Sequence, residues 1–259
     1  MPVPGNPAVP DEPAGGELFV TDAYRRSFDA TVVELDREQG RVALARTAFY
    51  PGGGGQPHDF GELRWGDGVA PVVRVKREQG HIWHWLDAAG LDELPAPGAE
   101  VHGELDWARR HLLMRTHTAL HILCGVIWAE FQVAVTGGNM DPGKGRLDFP
   151  LDAMSTELGE RMERRINEEI QRAREVVVDF MGRSEADLDP ALIRTAAGLI
   201  PREIDPLRVI DIVGLDRQAD GGTHVASTAD VGRVAVVGTE SKGKGNKRIR
   251  LQVRDAGQA

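Results

Sequence analysis

Short alternating and β-branched runs fill the first hundred residues, and helical spacing takes over near residue 106. ATVVEL, GRVALAR, GVAPVVRV, HIWHWL and EVHGEL, with Gly, Asp and Pro between them, predict a small β-barrel from Asp29 to about Leu105. Asp106 is placed to cap a long helix that opens at Trp107. VTGGNMDPGKG then reads as a glycine-rich turn and RLDFPL as a strand. Ser155 is placed to cap a second helix, in which Leu158, Met162, Ile166 and Ile170 recur every fourth residue and predict one buried stripe. REVVVDF reads as a strand, Pro190 to Ala197 as a helix capped by Asp189, and PLRVIDIV, RVAVVGT and RIRLQV as further strands. The expected fold class is α+β. A proline-rich, disordered tail over 1–16 leads into a small N-terminal β-barrel over 17–105, followed by a C-terminal α+β domain over 106–259, with no internal repeat.

Composition narrows the class. Of 259 residues, 41% are hydrophobic and 27% charged, which describes a globular protein with ample length for a core. No uninterrupted apolar run approaches the roughly 20 residues of a membrane span, and the first residues lack the basic and apolar regions of a signal peptide. The single Cys124 allows no internal disulfide and reads as a small buried residue, so a cytoplasmic setting is expected. A net charge of −9 argues mildly against nucleic acid as a partner. Lys242, Lys244, Lys247, Arg248, Arg250 and Arg254 nevertheless gather near the C-terminus, either as a phosphate-facing strip or as a solvated basic edge.

Two segments carry candidate chemistry. His117 and His121 lie four apart in MRTHTALHIL, so on a helix both imidazoles share one face and can grip one ion. About a hundred residues later Asp220-Gly-Gly-Thr-His224 offers a carboxylate and a third imidazole, with two glycines expected to allow a tight turn. This nitrogen and oxygen set suits one tetrahedral Zn2+ per chain. Taken alone, such a histidine pair among Leu113, Leu120, Leu123 and Ile127 is more often a pair of hydrogen-bonded core residues than of ligands; the aspartate loop tips the balance to metal. The other segment, TAFYPGGGGQPHD over Thr47 to Asp59, holds four successive glycines. Such a loop lets the backbone approach a ligand closely and presents Gln56 at its end; the alternative is a flexible hairpin connection.

The ordered combination of TAFYPGGGGQP, RTHTALH, the GGN turn before RLDF, DGGTH and KGKGNKRIR resembles the AlaX-type alanyl-tRNA editing proteins, free-standing relatives of the alanyl-tRNA synthetase editing domain. The likeness runs from about Glu17 to Arg254. It implies a translation-factor-like barrel, a C-terminal editing domain similar to that of threonyl-tRNA synthetase, and hydrolysis of the ester joining serine, or in some members glycine, to tRNA(Ala). It also implies that His117, His121 and His224 are metal ligands, that Thr47 lies near the amino acid, and that Gly54, Gly55 and Gln56 form the glycine-rich motif. One departure stands out: Asp220 occupies a place where the family usually has cysteine.

Editing has a physical rationale, because a pocket built for alanine discriminates against glycine or serine by only about 1–3 kcal/mol. A second site that requires the serine hydroxyl corrects the error, and a buried donor or acceptor such as Thr47 supplies that requirement. Asp220 has two alternative roles: a fourth ligand that closes the ion's shell, or a proton acceptor beside an ion with an open position. Three rival readings are weaker. A release factor would share GGQ but leave the histidines unexplained; a generic zinc hydrolase would want glutamate where Thr118 stands; a non-catalytic tRNA-binding relative would have lost hydrolysis with the cysteine.

Overall fold

The computed structural model describes residues 16–87, 93–152, 155–189, 192, 204–243 and 245–255. The tail over 1–15, the helix expected over Pro190 to Ala197 (Leu192 apart) and Lys244 lie outside the described residues. The chain divides into two compact units, and the division falls between Leu112 and Leu113.

The first unit is a closed antiparallel barrel. Its strands are β1 (Ser27–Asp36), β2 (Arg41–Leu44), β3 (Gly61–Trp65), β4 (Gly68–Glu78), β5 (His81–Leu86) and β6 (Glu100–Leu105), in the order β1-β2-β5-β4-β3-β6, with β6 closing on β1. Alternation explains the core: Phe28, Ala30 and Val32 from β1 meet Val42, Val72, Val75, Ile82 and Val101 inside. Register breaks between Val32 and Glu34 and between Val72 and Arg74 mark irregularities of the kind that bend strands around a barrel. β3 was not expected, since GELRW offers only Leu63 as a fully buried anchor. Its Gly61 is required by packing, because a Cβ there would lie 2.1 Å from the Glu104 carbonyl oxygen.

The rest of the chain forms α1 (Trp107–Phe131), β7 (Gly137–Asp141), β8 (Lys144–Phe149), α2 (Thr156–Gln171), β9 (Val176–Met181), α3 (Arg183–Ala186), β10 (Leu207–Ile212), β11 (Asp216–Ala219), β12 (Arg233–Ser241) and β13 (Lys247–Arg254). They build two antiparallel sheets, β11-β10-β9 and β12-β13-β8-β7. Asp106 caps α1 by accepting from the Arg109 amide at 3.0 Å, and Ser155 caps α2 by accepting from Leu158 at 3.1 Å. α2 buries Met162, Ile166 and Ile170 as its spacing predicts, while Leu158 is only half-buried. By length and composition α1 would suit a membrane, but 78% of its most apolar window is buried inside the protein, so it reads as a core helix. Three expectations are corrected. The glycine-rich turn contains strand β7, which pairs with β8; α3 and β11 are additional elements; Cys124 is half-buried rather than buried.

Candidate metal centre

α1 presents His117 and His121 one turn apart, and the loop after β11 brings Asp220 and His224 to them. One ligand atom from each of the four lies within 4.8 Å of every other. The three rings pack together, with centroids 4.3 Å apart for His117 and His224, 4.8 Å for His121 and His224, and 5.1 Å for His117 and His121. Asp220 Oδ2 is 3.0 Å from His224 Nε2, and Oδ1 is 3.8 Å from His117 Nε2. Ligands on a tetrahedral ion with bonds near 2.0–2.1 Å sit about 3.3 Å apart; the 3.0 and 3.8 Å separations bracket that value, and the widest, up to 4.8 Å, would have to close on an ion.

The surrounding groups fix which nitrogen each ring offers. His121 Nδ1 lies 3.0 Å from Asp216 Oδ2; the carboxylate accepts its proton and leaves Nε2 for an ion. Gln218 donates to the same oxygen at 2.7 Å. His224 Nδ1 lies 3.2 Å from Thr118 Oγ1, which also accepts from the Val225 amide, so with Nε2 on an ion the ring donates to Thr118. Thr118, which stands where a zinc protease would carry its glutamate, therefore orients a ligand.

Electrostatics favours the ligand forms of His117, His224 and Asp220. Burial pushes His117 down to about 4, and burial together with the charge of His117 holds His224 well below the usual histidine value. Both rings are neutral donors at pH 7. Burial acts downward on His121 as well, but the hydrogen bond and charge of Asp216 outweigh it and raise the ring. Asp220 feels an upward push from burial that His117 and the His224 hydrogen bond more than cancel, leaving it ionised.

The DGGTH loop owes its shape to side chains, which corrects the role expected for its glycines. Neither Gly221 nor Gly222 is among the positive-φ glycines. Asp220 Oδ2 accepts from the Gly222 amide at 2.7 Å, while the buried Arg208 donates at 2.9 Å to the carbonyls of both Asp220 and Gly222. Arg208, Asp216 and Gln218 were not singled out in the sequence. Their signal lies in β10 and β11, where charged and amide side chains occupy buried positions.

Thr47, Gly54, Gly55 and Gln56 belong to the barrel unit. Gly52, Gly53, Gly54 and Gly55 all take positive φ, which accounts for four glycines in a row. Gly53 and Gln56 exchange backbone hydrogen bonds at 2.9 and 3.0 Å, and Gln56 is buried. The loop is therefore an ordered turn. Its end is tied down by Asp59, which is fully buried, accepts from the Tyr50 amide at 2.7 Å and pairs with the equally buried Arg110. Thr47 Oγ1 accepts from the Phe49 amide at 3.1 Å and lies 2.9 Å from Nε2 of the buried His84. His84 Nδ1 faces the Val42 carbonyl at 3.3 Å and must donate to it, so Nε2 accepts the Thr47 hydroxyl proton.

Four of the C-terminal cations have partners. Arg248 makes two 2.7 Å bonds to Asp148, Arg250 reaches Glu240 at 2.9 Å, Lys242 lies 3.7 Å from Glu240, and the buried Lys247 donates to the Gly243 carbonyl at 3.1 Å.

A model described as "tRNA synthetases class II (A)" matches residues 21–109, and one described as "Threonyl and Alanyl tRNA synthetase second additional domain" matches residues 207–250. A barrel joined to an α+β unit with a three-histidine, one-carboxylate set, matched by these two models, defines the class of synthetase-related editing proteins. Among similar proteins, the alanyl-tRNA editing protein AlaX-M of Saccharolobus solfataricus is 37% identical over 241 residues, covering 92% of this chain and 98% of its own length. AlaX-M of Methanosarcina barkeri is 34% identical over 90% of this chain and 96% of its own length. The alanine–tRNA ligase of Methanopyrus kandleri is 36% identical over 96% of this chain, which corresponds to 27% of the ligase. The chain belongs to the AlaX-M family of alanyl-tRNA editing proteins.

Proposed function

We propose that the protein is a trans-editing hydrolase that removes serine from mischarged tRNA(Ala), with glycine, which lacks a side-chain hydroxyl, as the alternative substrate. The observation that carries this reading is the convergence of His117, His121, Asp220 and His224 in a chain that belongs to an alanyl-tRNA editing family. The reaction adds the oxygen of water to the ester carbonyl and releases the amino acid and the tRNA 3′-hydroxyl. The three imidazoles and Asp220 would hold Zn2+, which would supply positive charge that orders the site; polarising the ester would need the position that Asp220 closes. Asp220 is assigned as fourth ligand, because its carboxylate already lies among the three imidazoles and is ionised.

Thr47 is assigned as the reader of the serine hydroxyl. Its proton is committed to His84 and one lone pair to the Phe49 amide, so its remaining lone pair accepts from serine, and alanine has nothing to donate. Gln56 and the backbone at Gly54 and Gly55 are assigned to hold the aminoacyl ester. Lys242, Lys244, Lys247 and Arg248 are assigned to acceptor-stem phosphates. The barrel over 17–105 is taken as translation-factor-like, the region over 106–259 as the editing domain, and the cytoplasm as the setting.

Incubation with Ser-tRNA(Ala) and Gly-tRNA(Ala) tests the reading. Release of serine with multiple turnovers is expected, and release of glycine as well would show that a hydroxyl is not required. Tight binding without release would make the protein a non-catalytic tRNA-binding relative.

A further inference from the structure

The basic residues that meet no carboxylate are as informative as those that do. Among the described residues Arg26 and Arg109 form no ion pair, whereas Lys242, Lys247, Arg248 and Arg250 of the C-terminal strip have carboxylate or carbonyl partners. Both arginines lie instead on aromatic rings. The Arg26 guanidinium sits 4.3 Å from the centre of the Trp107 ring, and that of Arg109 sits 4.1 Å from the centre of Phe60 while donating to the His58 carbonyl.

These residues flank one junction of the barrel unit. β6 runs between β1 and β3 and leads directly into α1. On one side of that junction the Leu105 amide donates to the Arg26 carbonyl at 2.8 Å, and on the other the Asp106 amide donates to the Phe60 carbonyl at 2.8 Å. Trp107 and Arg109 come from the first turn of α1 itself. Tyr24 lies against Trp107 with ring centroids 5.8 Å apart, and His111 stacks on the same indole at 5.4 Å. Tyr24 and Phe60 remain 39% and 37% exposed, an unusual display of rings beside uncompensated positive charge.

Exposed aromatic faces interleaved with arginine suit one partner chemistry above others: unpaired nucleotides, whose bases stack on rings and whose phosphates seek guanidinium groups. A duplex hides its base faces and has little use for Tyr24 or Phe60. We infer that Tyr24, Arg26, Phe60, Trp107 and Arg109 form a platform for single-stranded RNA, and specifically for the unpaired 3′ end of the tRNA. The choice of tRNA rests on the editing function proposed above, while the preference for single-stranded RNA rests on the platform alone.

Binding of uncharged RNA separates the two, since it needs no hydrolysis. The full chain is titrated into two fluorescein-labelled RNAs, an acceptor-stem duplex ending in an unpaired CCA overhang and the same duplex made blunt, with anisotropy as the readout. Wild type should prefer the overhang. Tyr24→Ala and Phe60→Ala should each weaken binding to the overhang by roughly 5- to 150-fold, the range for losing one stacked base, with the blunt duplex unaffected. Tyr24→Phe should bind as wild type, and Arg26→Gln should weaken overhang binding and reduce its salt dependence. Because Tyr24 and Phe60 are exposed, circular dichroism is expected to show folded variants; should either fail to fold, Tyr24→Phe and Arg26→Gln still decide. Equal loss on both RNAs, or wild-type affinity in Tyr24→Ala and Arg26→Gln, would overturn the platform and mark the patch as a surface for a protein. Overhang binding as described but no deacylation would leave the platform standing and remove the editing function.

Discussion

Arg110→Leu offers a severe test of how the glycine-rich loop is held. Arg110 and Asp59 are both fully buried. The guanidinium Nε contacts the two carboxylate oxygens at 3.1 and 3.0 Å, while Nη2 reaches Oδ2 and the Ala48 carbonyl at 2.5 Å and Nη1 reaches the Ala23 carbonyl at 2.9 Å. Leucine would strand a buried carboxylate, at a cost of about 3–5 kcal/mol. It would also leave the carbonyls of Ala23 and Ala48 without this donor. Against a typical total of about 5–15 kcal/mol, the barrel should stay folded only marginally. Replacing a buried ion pair by apolar residues is often neutral, but here Asp59→Leu with Arg110→Leu should recover only part of the loss. The Tyr50 amide would lose Asp59 and the two carbonyls would lose Arg110, at about 1–3 kcal/mol for each group left unsatisfied. Urea unfolding of wild type, the single variant and the double variant measures both quantities. A loss below about 1 kcal/mol in Arg110→Leu, or wild-type stability in the double variant, would refute the assignment of this pair as the anchor of residues 48–59.

Three further predictions concern the histidines. Asp216→Asn, which weakens the acceptor behind His121, should lower zinc affinity by about 10–100-fold; competition against a chelator measures it, and unchanged affinity removes Asp216 from the metal site. Asp220→Cys should keep one zinc per chain and its activity while Asp220→Ala loses metal; full metal with depressed turnover in the alanine variant would make Asp220 the proton acceptor, and full metal with full activity would reduce it to a loop residue. His84 is pushed down to about 4 by burial against 6.5 in the open chain, so between those two pH values the unfolded state takes a proton that the folded state refuses. The resulting stability is complete above 6.5 and lost as the pH falls towards 4, by up to about 3 kcal/mol; urea unfolding across that window should show His84→Gln losing correspondingly less than wild type, and parallel losses would contradict the buried neutral ring.

What the sequence revealed follows from how local each signal is. The cluster that could hold a metal was legible because His117 and His121 share a helix face and Asp220 and His224 share one short loop. Five of the six barrel strands were legible as alternating runs, but β3 escaped because Leu63 is its one deeply buried side chain. β11 escaped too, being four residues long with Asp216 and Gln218 at its buried positions; those are the very groups that brace His121. Arg110 and Asp59 are separated by 51 residues and only the fold joins them. The same holds for the C-terminal strip, whose apparent excess of charge is met across strands by Asp148 and Glu240, so that a tally of lysines and arginines overstated the positive surface there.

The central claim is discrimination by hydrolysis, and a competition in one tube tests it most directly. Ser-tRNA(Ala) and Ala-tRNA(Ala), carrying different radiolabels on the amino acid, are mixed with the zinc-loaded protein and the initial rates of release are compared. If the spare lone pair on Thr47 demands the serine hydroxyl, an unsatisfied partner worth about 1–3 kcal/mol should favour serine by roughly 5- to 150-fold, and Thr47→Val should erase most of that preference. Equal rates on the two tRNAs, or no release from either, would contradict the account.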